Sequence, residues 1–112
     1  MSPRSQVILW TVQRVSAMVL ALCVVAHLAT MIYAVRHGLS AAEILARTRG
    51  NYAWLIFYAT FVAAVAIHAP IGLRTIAGET LGWRSGAVDV TLLALGILLA
   101  WWGWRAVFAV FG

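Results

Sequence analysis

The sequence has 112 residues but no lysine, only three acidic residues, two prolines and a single cysteine. One cysteine excludes a disulfide within the chain, and Cys23 lies in an apolar stretch where a thiol packs as a small hydrophobic group. The eight arginines give a net charge of +5, but they are spread along the chain. We therefore expect no nucleic-acid partner, and attraction to anionic lipid headgroups explains the positive charge.

Apolar residues are abundant and make up 64% of the chain, which is well above the fraction in a soluble domain. A helix needs about 20 mostly apolar residues to cross the hydrocarbon core. Three stretches meet that length, at about 10–36, 52–77 and 88–111. The sequence therefore predicts an all-α integral membrane protein, with three transmembrane helices in a single domain, 1–112, and the lipid bilayer around it. A large active site has to come from a partner.

The connection between the first two membrane helices carries its own helix signal. Ser40 and Glu43 have the spacing of a capping box, which opens a helix. The segment that follows places apolar side chains beside Arg47 and Arg49, which is typical of a short interfacial helix on the membrane surface. The arginines of the whole chain divide evenly between the two sides of the membrane, so they do not predict its orientation.

Two of the three histidines lie deep in predicted membrane helices, His27 in the first and His68 in the second. An ionisable side chain at that depth is costly and usually faces protein or a cofactor. Imidazole is also a common axial ligand of haem iron. On spacing alone, haem ligation and hydrogen bonding between helices remain alternatives for both. His37 follows Arg36 at a helix end, where we expect it to be solvated.

The second helix has the pattern of a haem-binding face. At 100° per residue, Gly72 lies one turn after His68 on nearly the same face, together with Thr75 and Glu79. A glycine at this position leaves room for a flat macrocycle next to the backbone. The spacing therefore makes His68 and Gly72 candidate haem-binding residues.

The first helix repeats that pattern more loosely, because Ser16, Cys23 and His27 share a stripe with the bulky Leu20. The two helices run in opposite directions, which predicts a separation of roughly 13 Å between His27 and His68 along the membrane normal. The two axial ligands of one upright haem lie at similar depth. We therefore expect each histidine to meet a histidine from another subunit, or only one of them to be a ligand.

The segments QRVSA (13–17) and HAPIGLR (68–74) resemble motifs of the membrane-anchor cytochrome b subunits of succinate dehydrogenase and fumarate reductase. That family has a His-Arg-x-[Ser/Thr]-Gly segment at helix 1 and a His-x-x-x-Gly-[Ile/Leu]-Arg segment in helix 2. The first motif departs from the family here. Gln13 stands in place of its histidine, Ala17 in place of its glycine, and Trp10 in place of a preceding serine.

The resemblance implies a multi-pass subunit of a bacterial inner (plasma) membrane that anchors a flavoprotein subunit and an iron–sulfur subunit. Such a subunit carries haem b and transfers electrons between the iron–sulfur partner and membrane quinone, without catalysing a reaction alone. His68 matches the haem-ligating histidine and Gly72 the glycine of the same motif. Arg74 matches an arginine near the haem propionates and the quinone. Arg14 and Ser16 match an arginine and a hydroxyl near the quinone pocket.

His27 resembles the helix-1 histidine of the longer, two-haem anchors of this family. The chain then resembles half of such an anchor, with one or two haems b shared with a second membrane subunit or a second copy. Three alternatives remain: a haem-free anchor, a small proton or solute transporter subunit with a relay through His27, His68 and Glu79, and a haem b protein with an unrelated dehydrogenase partner. Against the transporter, both Glu79 and Asp89 lie near predicted helix ends.

Overall fold

The computed structural model describes residues 2–112, and this part of the chain is helical, without a strand. Its elements are α1 (Pro3–Arg36), α2 (Ala41–Thr48), α3 (Tyr52–Ile76), a π-helical turn (Ala77–Leu81) and α4 (Gly86–Phe111). Helix α1, helix α3 with its π-helical turn, and helix α4 are each long and apolar enough to cross a membrane. The predicted all-α membrane fold, with a short helix between the first two spans, is confirmed.

Helix α1 begins at Pro3, seven residues before the predicted start of the first span. Ser2 caps the helix, because its hydroxyl oxygen accepts a hydrogen bond from the Ser5 amide at 3.2 Å. Proline suits the first turn, where its missing N–H is not needed. The polar lead-in is therefore helical and extends α1 beyond its apolar stretch.

Helix α2 has the predicted capping box and is also tied to the end of α4. Ser40 Oγ accepts from the Glu43 amide, and the Glu43 carboxylate accepts from the Ser40 amide, both at 3.2 Å. Thr48 Oγ1 donates to the carbonyl oxygen of Val110 at 2.8 Å, and the amide of Gly50 donates to the last carbonyl of α4 at 2.9 Å. The last carbonyls of a helix have no partner within it, so these two bonds cap α4.

Helix α3 lies in the centre and packs against both α1 and α4. Two glycines of α4 permit the close approach. A Cβ at Gly103 would lie 2.6 Å from Cγ1 of Val62, and one at Gly96 would lie 3.0 Å from Cγ of Pro70. Small residues at such contacts are the usual basis of helix packing in membranes. Most large apolar side chains point outward, as expected where lipid is the solvent.

Candidate functional site

The contact between α1 and α3 brings Ser16 next to His68. Ser16 is buried, and its Oγ donates to the carbonyl oxygen of Gln13 at 3.0 Å and lies 3.4 Å from His68 Nδ1. Because the hydroxyl proton is used by the carbonyl, the oxygen is left to accept from an Nδ1–H group. This arrangement favours the imidazole tautomer with a free lone pair on Nε2, and a nitrogen with a free lone pair is what a metal ion needs.

One turn further along α3, Gly72 lies beneath the side chain of Gln13. A Cβ at position 72 would lie 3.1 Å from Gln13 Nε2, so the absence of a side chain lets the amide approach the helix. Gln13 Oε1 is buried and has no hydrogen-bond partner within residues 2–112. The space next to Gly72, which the sequence pattern predicts to hold a macrocycle, is therefore filled within this chain by Gln13.

Gln13 also lines a cleft of about 400 Å³ between the start of α1 and the end of α3. Clefts of this size are in the range that holds small organic ligands. Its polar and aromatic lining includes Trp10, Gln13, Arg14, Arg74, Thr75 and Glu79. The cleft therefore brings together both predicted arginines and the residue that replaces the family's histidine.

The two arginines of this cleft are held by different partners. The guanidinium carbon of Arg14 lies 5.0 Å from the ring centroid of Trp10, which is a cation–π contact. Arg74 Nε donates to Asp89 Oδ1 at 2.8 Å in an exposed ion pair. A guanidinium has five N–H groups, so both retain donors for a ligand. The sequence did not predict this ion pair, although the end of the second span and the start of the third must lie on one side of the membrane.

His27 lies apart from this cluster. Its half-buried ring meets Tyr58 and Phe61 edge-on, with centroids 5.9 and 5.6 Å away. Across the part of the chain that the structure describes, no hydrogen bond holds the ring nitrogens of His27. Ser16, which touches His68, is eleven residues earlier in α1, or about 16 Å along the axis. This agrees with the predicted separation, so the two histidines do not share one iron within one chain.

A second cleft, of about 510 Å³, is lined by His27 and lies between α1, α2 and α3. Its walls include the rings of Tyr33, Trp54 and Tyr58. Arg47 of α2 also lines it, with its guanidinium carbon 5.6 Å from the centroid of the Tyr33 ring. His27 therefore faces an aromatic cavity at the opposite end of α1 from the Gln13 cleft.

Within residues 2–112, neither His27 nor His68 belongs to a cluster of side chains that could hold a metal ion without a cofactor. Nowhere in residues 2–112 do three or more histidine, cysteine, aspartate or glutamate side chains come together. Structural metal ions such as zinc need four ligands, whereas an axial haem ligand acts alone on its side of the iron.

A family model described as "Succinate dehydrogenase/Fumarate reductase transmembrane subunit" matches residues 1–107. The chain belongs to this family. No curated protein and no solved structure matches it. The resemblance found in the two sequence motifs is thus confirmed.

As a succinate dehydrogenase/fumarate reductase transmembrane subunit, the chain is the membrane anchor of a complex of this type. Its three candidate spans agree with that position. Of the predicted site residues, Ser16, His68 and Gly72 lie together along the α1–α3 contact, and Arg14 and Arg74 share the neighbouring cleft. His27 is the predicted site residue that lies elsewhere. Family membership gives no support to the transporter alternative.

Proposed function

We propose that the chain is a haem b-binding membrane anchor that transfers electrons between an iron–sulfur partner subunit and membrane quinone. The flavoprotein and iron–sulfur subunits would bind at one face of a bacterial inner (plasma) membrane. The observation that carries the proposal is the contact between Ser16 and His68 at 3.4 Å. A hydrogen bond to the second ring nitrogen is the usual support for a ligating histidine, and it leaves Nε2 available.

The donors at the α1–α3 contact and in the neighbouring cleft suit haem b and a quinone. His68 supplies the imidazole, and Arg14 and Arg74 are placed to pair with carboxylates or to polarise a quinone carbonyl. The haem, when bound, supplies one-electron transfer, and the protein supplies its position and electrostatics. In this proposal Ser16 orients the His68 imidazole, and Arg14 and Arg74 neutralise negative charge on the bound groups.

His27 is proposed to ligate a second haem together with a residue of another membrane subunit or of a second copy of this chain. The free ring nitrogens of His27 and its aromatic cavity support this role. Its distance of about 16 Å from the level of His68 requires a separate iron. Whether the complex binds one haem or two therefore depends on whether His27 is a ligand.

A haem-free anchor is the second candidate, because Gln13 fills the space next to Gly72. The experiment that separates the two is the dithionite-reduced minus oxidised optical spectrum of the purified complex, compared for wild type, His68→Ala and His27→Ala. His37→Ala is the matched control, because His37 is exposed at the end of α1 and bonds the carbonyl of Tyr33 through Nδ1 at 2.9 Å.

The outcomes are distinct. We expect a b-type signal that each of the His27 and His68 variants reduces in part and that the His37 variant leaves intact. A signal abolished by His68→Ala and unchanged by His27→Ala means one haem and leaves His27 as a packing residue. An assembled wild-type complex without a b-type signal contradicts the haem proposal and favours the haem-free anchor.

A further inference from the structure

We infer that the Gln13 carboxamide binds the ring of the quinone directly and favours its reduced, quinol form. The inference rests on the proposed function and concerns the same cleft. It starts from Gln13 Oε1, a buried acceptor without a partner in the described chain. Leaving such an atom unpaired costs free energy, and most buried polar atoms in native structures are paired. A ligand that donates a hydrogen bond to this oxygen removes the cost.

A turn of the Gln13 carboxamide brings this oxygen to a ligand in the neighbouring cleft. Gln13 packs on Gly72 at the contact between α1 and α3 and lines the 400 Å³ cleft. The other side chains of the cleft that carry acceptors, Gln6, Thr75 and Glu79, are exposed and can bond water. Gln13 therefore presents the acceptor that gains most from a ligand.

The remaining walls suit a flat, oxygenated ring. Trp10 lies one helical turn before Gln13 and supplies an indole ring that makes the cation–π contact with Arg14. Arg74 adds further N–H donors but no acceptor. The arginines therefore recognise the oxygen atoms of either redox form. Gln13 Oε1 adds a contact that depends on a ligand hydrogen.

The redox chemistry gives this contact its selectivity. A quinone takes up two electrons from the reduced iron–sulfur partner and two protons from water, and both of its carbonyls become hydroxyls. The carbonyls of the quinone only accept hydrogen bonds, whereas the hydroxyls of the quinol also donate. Gln13 Oε1 accepts a hydrogen bond from one of these O–H groups, and the amide neither gains nor loses a proton. The amide therefore stabilises bound quinol relative to bound quinone.

The test measures KM and kcat in both directions, quinone reduction and quinol oxidation, with short-chain quinones and the intact complex. Gln13→Met keeps the shape and removes the acceptor, whereas Gln13→Glu keeps an acceptor oxygen. Cys23→Ala is the control, because Cys23 is buried in the same helix and away from the cleft. We expect Gln13→Met to raise KM for quinol about two- to tenfold, the value of one hydrogen bond, with KM for quinone nearly unchanged. Gln13→Glu retains quinol binding.

The haem spectrum of each variant separates this inference from the function on which it rests. A wild-type complex without quinone activity contradicts the proposed function itself. An active complex with an intact b-type spectrum, in which Gln13→Met leaves KM for quinol unchanged, overturns only the role of Gln13. Weakened quinone binding with unchanged quinol binding also overturns it, because the buried atom would then be a donor.

Discussion

Replacing Ser16 by alanine tests the contact on which the proposed haem site depends. The substitution removes the hydroxyl that lies 3.4 Å from His68 Nδ1 and 3.0 Å from the Gln13 carbonyl. The space it leaves is small, because Ser16 is 7% exposed and differs from alanine by one oxygen atom. We therefore expect the helices to stay in place and the imidazole to lose its support.

The size of the effect follows from one hydrogen bond, which contributes about 0.5–1.5 kcal/mol. An Nδ1–H group that donates makes the ligand more basic and stabilises ferric over ferrous iron. Losing that bond therefore raises the midpoint potential, by about 20–60 mV for a one-electron couple. Haem retention should fall as well, because losing such a supporting bond weakens metal binding about 10- to 100-fold.

The assay is a redox titration of the b-type signal in the purified complex, together with the haem content per complex. Ser16→Thr keeps a hydroxyl and should restore both values. Cys23→Ala changes another buried small residue of α1 and should alter neither. If Ser16→Ala leaves the potential and the haem content at wild-type values, the hydrogen bond to His68 has no role and the argument fails.

Three further predictions concern the fold. Gly103→Ala places a Cβ 2.6 Å from Val62 Cγ1 and should destabilise the α3–α4 contact by about 1–3 kcal/mol in detergent unfolding, whereas adding Val62→Ala should recover most of the loss. Thr48→Val leaves an α4 carbonyl without its donor and should cost about 1–3 kcal/mol in the same assay; an unchanged midpoint would contradict it. The pKa of Glu43 is held below its usual 4.5, mainly by the Ser40 amide, so its capping of α2 should be complete above pH 4.5 and lost as the pH falls through the lowered pKa; hydrogen exchange in α2 measures this, and Glu43→Gln should abolish the pH dependence.

The sequence was sufficient to predict the membrane helices and the cap of α2. Long apolar runs determine the spans, and the Ser40–Glu43 spacing is a local signal that needs no tertiary context. The difference in depth between His27 and His68 was also predictable, because helix rise and antiparallel order determine it. These features depend on distances along the chain and not on how the helices rotate.

The contacts between helices were not predictable in the same way. A membrane helix is apolar around its whole circumference, so no polar face indicates which side packs against a neighbour. The coverage of Gly72 by Gln13, the cap that Thr48 gives to α4 and the ion pair of Arg74 with Asp89 all depend on helix rotation. The start of α1 at Pro3 was missed for another reason, because the span was judged by hydropathy although a capped polar turn extends it.

The depth difference between the two histidines has an electrical consequence. Moving one elementary charge across the whole membrane changes its energy by about 2.3 kcal/mol per 100 mV. The levels of His27 and His68 are about 16 Å apart, which is about half of a hydrocarbon core of about 30 Å. If haems b occupy both proposed sites, an electron that passes between them moves with or against the membrane potential, which changes its energy by about 1.2 kcal/mol per 100 mV. The voltage across the membrane would then shift the equilibrium of electrons between the two haem levels.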